Sequence, residues 1–284
     1  MANAGAKDGS GRDEVPTGKI AETDVLVIGS GAGGLSAAIC SAKAGMRVIV
    51  TEKTPLIGGT TAYSGGVPWV PQNHLMARHG LEDSAELAST YLQNSVGNRM
   101  RREMIDAYLN NAPKMIVFFE ENTDVRFQAR PDMPDYSSEL PGAVPGRCLE
   151  TVPFDAWRLG DWFQWLRAPR PEAMILGGMM VSLPDMRNLL KARKSFSAFV
   201  YATKILGRHL FDRTRYARGT RLVNGNALAG RLLKSALDSG VQIWREAPAL
   251  RLLEEDGRVA GAVIAREGRE IEVRSRRGTV IATG

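Results

Sequence analysis

A glycine-rich turn between two apolar elements limits the possible folds more than any other feature of the chain. Asp24-Val-Leu-Val-Ile28 is a short β-branched run of the kind that forms a buried strand, and it passes directly into Gly29-Ser-Gly-Ala-Gly-Gly34. Beyond the turn, Leu35, Ala38, Ile39 and Ala42 recur at spacings of three and four as far as Gly45, which is the pattern of a helix with a glycine stop. Arg47-Val-Ile-Val-Thr51 then reads as a second strand, so a βαβ unit opening a parallel sheet is expected. Gly29, Gly31 and Gly34 have the spacing G-x-G-x-x-G, whose glycines serve a tight turn, a close backbone approach to a diphosphate, and close packing of helix on strand. The helix N-terminus offers its free N–H groups and the positive end of its dipole to the anion. Glu52 stands about 20 residues on, at the end of the second strand, where a carboxylate accepts hydrogen bonds from ribose hydroxyls and repels a 2′-phosphate. A dinucleotide site for FAD or NAD follows, and NADP is disfavoured.

From Glu52 to Pro71 runs a loop rich in Gly, Thr, Ser and Pro, longer than most connections and for that reason a functional candidate. Helical patterns return at 83–94 and 101–121, the second with Met104, Ile105, Tyr108 and Leu109 on one face and a kink expected at Pro113. Residues 129–157 carry several prolines and read as an irregular crossover, followed by the aromatic cluster Phe154, Trp157, Trp162, Phe163 and Trp165, more often core than pocket lining. A basic helical stretch spans 185–211, with Leu189, Leu190, Phe196, Phe199, Ile205 and Leu210 as an interrupted apolar face. After Gly225 a helix runs to Gly240, and strands are expected at Val241–Trp244, Ala249–Leu253, Val259–Ala265, Glu270–Arg274 and Gly278–Ile281. Met1 to Glu22 mixes both charge signs with small polar residues and reads as a flexible tail.

The loop Glu52-Lys-Thr-Pro-Leu-Ile-Gly-Gly-Thr-Thr-Ala-Tyr-Ser-Gly-Gly66 resembles the FAD-binding loop of the fumarate reductase and 3-ketosteroid dehydrogenase flavoproteins. Pro134-Asp-Tyr136, followed by Leu140-Pro-Gly-Ala-Val-Pro-Gly-Arg147, is similar to the steroid-dehydrogenase branch, and Arg218-Gly-Thr-Arg-Leu-Val-Asn-Gly-Asn-Ala-Leu228 resembles related flavoproteins. Gly278-Thr-Val-Ile-Ala-Thr-Gly284 is similar to a second FAD-contacting strand and turn, after which such proteins continue, so an N-terminal fragment is expected. The resemblance implies an α/β fold: a Rossmann-like FAD-binding domain over 23–130 and 218–284, incomplete at its C-terminal end, with an inserted, mostly helical substrate lobe over 131–217. It assigns FAD to Gly29, Ser30, Gly31, Ala32, Gly33, Gly34, Glu52, Lys53, Gly58, Gly59, Thr60, Thr61, Ser64, Gly65, Gly66, Ala249, Ala282, Thr283 and Gly284, and a catalytic role to Tyr136. The implied reaction is α,β-desaturation of a lipophilic cyclic ketone such as a 3-ketosteroid, with hydride passing to the flavin and on to an acceptor of unspecified identity. A fumarate-reductase-like reduction of an alkene carboxylate, or an inactive FAD-binding piece, are the alternatives.

The remaining composition narrows the function classes. Cys40 and Cys148 are too few for a disulfide framework, and His74, His79 and His209 have no metal-ligand spacing. Cys40 is expected to be a buried, inert thiol, and a cytoplasmic setting follows from so few cysteines and from the lack of a signal-like N-terminus. The net charge of +6 is concentrated between Asp185 and Arg221, where ten Lys or Arg stand against two Asp. No nucleic-acid-binding motif accompanies these charges, and a peripheral contact with an anionic membrane is the partner an amphipathic basic helix suggests.

Overall fold

The computed structural model of the chain describes residues 20–284. Met1–Lys19 lie outside the described residues, and Ile20–Glu22, expected in the tail, instead open the first strand. The βαβ unit forms as expected from β1 (Ile20–Ile28), α1 (Ala32–Lys43) and β2 (Val48–Thr51). Two helices follow, α2 (Ala85–Val96), capped by the Ser84 side chain, and α3 (Arg102–Asn122), which continues through Pro113 as one element.

The middle of the chain is built from short antiparallel ribbons. β3 (Phe127–Ala129) pairs with β4 (Leu149–Thr151); next come β5 (Phe154–Asp155) and the pair β6 (Met174–Ile175) and β7 (Met179–Met180). The helical hairpin α4 (Leu183–Lys191) and α5 (Phe196–Asp212) leads to β8 (Arg221–Leu222), which pairs with β5. Only the second half of 131–217 is thus built on α-helices. The chain closes with α6 (Asn224–Asp238), β9 (Gln242–Trp244), β10 (Ala249–Glu255), β11 (Arg258–Arg266) and β12 (Arg269–Ile281).

One six-stranded sheet organises the whole, in the order β10-β11-β12-β1-β2-β9. β12, β1, β2 and β9 are parallel, whereas β10, β11 and β12 form an antiparallel meander. Alternation along β1 sends Val25 and Val27 to one face, where Leu35 and Ile39 of α1 and Leu232, Leu233 and Ala236 of α6 bury them. Leu26 and Ile28 point the other way and share a cluster with Ile49, Trp244, Ala262, Ile264, Ile271 and Val273, so the meander covers the face that lacks helices. Full burial of a Leu or Ile in either cluster contributes about 1.5–3 kcal/mol.

Several expectations are corrected. The runs 270–274 and 278–281 are one strand, because β12 pairs with β1 from Glu272 to Ile281 and Gly278 lies within that ladder. On α3 the buried stripe is Leu109, Ala112, Ile116 and Phe119, while Met104 and Tyr108 face solvent; the apolar period simply starts one turn later. Of the apolar residues named in 185–211 only Ile205 is buried. Trp157 is exposed, whereas Phe154 and Phe163 are core. Cys40 is exposed on α1, since the small residues Gly34 and Ala38 take the buried stripe with Leu35 and Ile39. His209 is buried on the inner side of α5.

Candidate functional site

The glycines of the turn fall into two groups. A Cβ at Gly29 would lie 2.3 Å from the Ala282 carbonyl oxygen, in a backbone that is left-handed at φ +110. A Cβ at Gly34 would lie 1.9 Å from the Gly29 carbonyl oxygen. Both glycines are therefore required by the protein's own packing. Gly31 is not: its φ of −73 is open to any residue, and an added Cβ would meet only the Thr61 hydroxyl, at 3.7 Å. A glycine the protein itself does not need, at the N-terminus of α1, fits the close approach of a ligand diphosphate.

Other predicted residues converge on this turn. Thr61 Oγ1 accepts a hydrogen bond from the Ala32 N–H at 2.9 Å, standing in for the side-chain cap that Gly31 cannot supply. The Gly58 N–H donates to Ser30 Oγ at 3.2 Å, which ties the second glycine loop to the first. Glu52 is buried, and its carboxylate accepts from the backbone N–H and hydroxyl of Ser30 on one oxygen and from those of Thr54 on the other. Its backbone is pinned as well, receiving the Ala247 N–H at 2.9 Å. The Ala282 N–H donates to the Ile28 carbonyl at 2.8 Å, which sets Ala282, Thr283 and Gly284 beside the first glycine. This donor set fits a dinucleotide: a helix N-terminus for the diphosphate and an oriented carboxylate for a ribose. Lys53, Thr60, Ser64 and Gly65 lie on the exposed side of the loop, and Ala249 opens β10 paired with Ile264, two residues beyond the Ala247 contact.

The far end of the loop is locked by groups from the 218–228 stretch, which the resemblance singled out without giving any of its residues a role. Gly66 is left-handed at φ +64, and a Cβ there would lie 2.5 Å from the Gly225 nitrogen. The start of α6 is pressed against the loop, with the Gly225 N–H donating to the Ser64 carbonyl at 3.0 Å. Asn226, wholly buried, donates to the Arg167 carbonyl at 2.7 Å and accepts from Arg218 at 2.9 Å. Burial lowers the Arg218 guanidinium to about 10.

Tyr136 stands 90% exposed, yet both of its neighbours are fixed. Asp135 is buried and accepts from Trp69 Nε1 at 2.6 Å, from the Val144 N–H at 3.1 Å and from Arg147 at 2.8 Å. The Ser137 N–H donates to the Tyr91 hydroxyl at 3.2 Å. Arg147 has no exposed surface and also grips Asp83 through two bonds, of 2.9 and 2.6 Å, while its guanidinium lies over the rings of Trp69 and Tyr91. Trp69 belongs to the chain leaving the flavin-loop candidate, so a hydrogen-bonded network joins that loop to Asp135, the residue before the tyrosine. The buried positions of Asp83 and Arg147 had no local signal; only the resemblance drew attention to Arg147.

A βαβ glycine turn, an acid at the end of the next strand and a curled mixed sheet define a dinucleotide-binding protein of the flavoprotein type. The chain belongs to the FAD binding domain family, whose model matches residues 24–284. It is 38% identical over 272 residues to a 4-oxocyclohex-2-ene-1-carboxylate 5-dehydrogenase of Sinomonas cyclohexanicum, covering 95% of this chain and 46% of that protein. It is 34% identical over 273 residues to a 3-oxosteroid 1-dehydrogenase of Mycobacterium tuberculosis, covering 93% of this chain and 47% of that protein. The fold matches the crystal structure of a 3-ketosteroid delta1-dehydrogenase from Sterolibacterium denitrificans in complex with 1,4-androstadiene-3,17-dione. The TM-score is 0.84 at 33% identity, over 93% of this chain and 48% of that one. The chain thus spans about half the length of the relatives it matches.

Proposed function

We propose that the chain is the FAD-holding part of an oxidoreductase that desaturates a six-membered cyclic ketone of the 3-ketosteroid type. The observation that carries the reading is the pairing of an open, ligand-ready Gly31 backbone with a clamped, outward-facing Tyr136. Two relatives support the substrate class, since the names of both describe dehydrogenation of an oxo-substituted ring system. Bound FAD supplies a two-electron acceptor at flavin N5. The chain's own residues hold it: the α1 N-terminus at the diphosphate, Glu52 at a ribose, and the backbone of Gly58–Gly66 along the remainder. The other half of the desaturation is loss of a proton from the carbon beside the carbonyl. Tyr136 faces solvent, to which its phenol can give up its own proton, and the phenolate would then take the proton from that carbon, with the Asp135 and Ser137 anchors fixing the backbone on either side.

Residues 23–130 and 218–284 are read as the FAD-binding part and 131–217 as the substrate-facing lobe, with an acceptor of unassigned identity reoxidising the flavin. Two free cysteines support a cytoplasmic setting. Among the described residues no helix is long and apolar enough to cross a membrane. The test is the visible spectrum of the purified chain and the identity of the cofactor released on denaturation. The flavin complex is then mixed anaerobically with a 3-ketosteroid and with a cyclohexanone carboxylate. Bound FAD, bleached in the chain at its full natural length by one of the two ketones, is expected. A chain that takes up no FAD at either length would overturn the reading.

A further inference from the structure

We propose that the α4–α5 hairpin is a docking surface for an anionic lipid bilayer. The inner stripe of α5, Ala198, Ala202, Ile205, His209 and Asp212, is buried, as expected for a helix packed on a protein body. Its opposite face is apolar too: Phe196 is 83% exposed and Leu210 70%, with Phe199, Val200 and Phe211 beside them. On α4, Leu183, Met186 and Leu190 recur at spacings of three and four and are likewise exposed, Leu190 at 75%. A helix apolar on both sides has a second partner, and contiguous exposed apolar surface of this kind marks an interaction site.

The charges around the patch identify that partner. Lys191 ends α4, Arg193 and Lys194 lie in the turn between the two helices, Lys204 is exposed on α5 and Arg213 caps its C-terminus. None of these five makes an ion pair among the described residues. The hairpin's two acids are unavailable to balance them: Asp185 is buried against Arg221 at 2.7 Å, and Asp212 is buried and accepts the Thr220 N–H and hydroxyl. Three of these five cations are lysines, the residue that protein interfaces are depleted in. A bilayer surface suits both features, taking Phe and Leu into the headgroup boundary while long basic side chains reach anionic phosphates. The hairpin is also anchored firmly enough to carry such a load, through Asp185 with Arg221 and Arg208 with Asp155. The inference does not depend on the oxidoreductase reading, and its readout involves neither flavin nor turnover.

The test is co-sedimentation of the chain, and of its full natural length, with vesicles of phosphatidylcholine alone or containing about 30 mol% phosphatidylglycerol. Binding to the anionic vesicles should exceed that to neutral ones at least about tenfold and fall at about 1 M salt. Lys191→Gln/Arg193→Gln/Lys194→Gln should weaken it about 100-fold, at roughly fivefold per charge. Phe196→Ser/Phe199→Ser/Leu210→Ser, all exposed and so compatible with folding, should abolish it. Failure to bind anionic vesicles, or binding that survives the triple Ser change, overturns the proposal. So does dimerisation that the Ser variant abolishes without any vesicle binding, which would assign the face to a second copy. Loss of binding in the longer form would assign it to the remainder of the protein and is equally fatal.

Discussion

Replacing Gly31 with Ala separates what the turn does for the fold from what it does for a ligand. In the folded chain the new methyl meets only the Thr61 hydroxyl, at 3.7 Å, and the backbone at φ −73 and ψ −175 accepts alanine without strain. The cost to the ligand-free protein is that of exchanging Gly for Ala at a helix N-cap, at most about 1 kcal/mol. In the proposed FAD complex the methyl would stand where the diphosphate is to approach the α1 N-terminus. Overpacking by one methyl costs about 1–3 kcal/mol, which weakens FAD binding about 5- to 150-fold. Gly34→Ala is the contrasting case, because its methyl would sit 1.9 Å from a backbone oxygen in the same turn; it should lower stability by about 3 kcal/mol or more. Gly33→Ala is the control for apoprotein stability alone: no atom lies within 4 Å, and alanine gains up to about 1 kcal/mol of helix propensity. The assay is titration of the apoprotein by quenching of flavin fluorescence, alongside thermal melts without flavin. The reasoning is refuted if Gly31→Ala binds FAD as tightly as the parent, or if its apoprotein melts as low as Gly34→Ala.

Arg147→Met strands the Asp83 and Asp135 carboxylates in a site with almost no exposed surface, and breaking one partner of such a network costs about 3–5 kcal/mol. Its melting temperature should fall by about 10 °C, and an unchanged melt would dismiss the network as a structural element. Tyr136→Phe removes an exposed hydroxyl that makes no hydrogen bond among the described residues, so stability and FAD affinity should hold. Under the proposed desaturation, ketone-dependent flavin reduction in a form spanning the relatives' full length should drop about 10²- to 10⁴-fold, and a rate within threefold of the parent (about 0.6 kcal/mol) would remove Tyr136 from the chemistry. Burial works to raise the Asp185 carboxyl, but hydrogen bonds from Arg221, the Ser182 N–H and Tyr201 outweigh it and hold the group below the usual carboxylate range. A lowered folded-state value stabilises the protein above the unfolded value of about 4 and is lost as pH falls through the folded one. Parent and Asp185→Asn should therefore differ in urea stability at about pH 6 and converge as the pH falls below the unfolded value and through the folded one; a constant difference would contradict the assignment.

The sequence alone determined the parts of this protein that rest on neighbours in the chain. Strand, glycine turn, helix and strand over 24–51 were legible because a period of two, a period of 3.6 and the conformational freedom of glycine are all local properties. Glu52 was legible for the same reason, as an acid at a fixed distance from the turn. Tertiary structure alone decided which glycines serve packing and which are left free for a ligand, because Gly29 is hemmed in by Ala282, more than two hundred residues away (roughly the whole domain). It decided the support of Tyr136 too: Arg147 and Asp83 meet across 64 residues of sequence. It also reversed the apolar face of α5, since a helix that is apolar on two sides carries no mark in its sequence of which side the protein body will take. Periodicity records that a surface must be covered, and only the packing of distant elements settles by what.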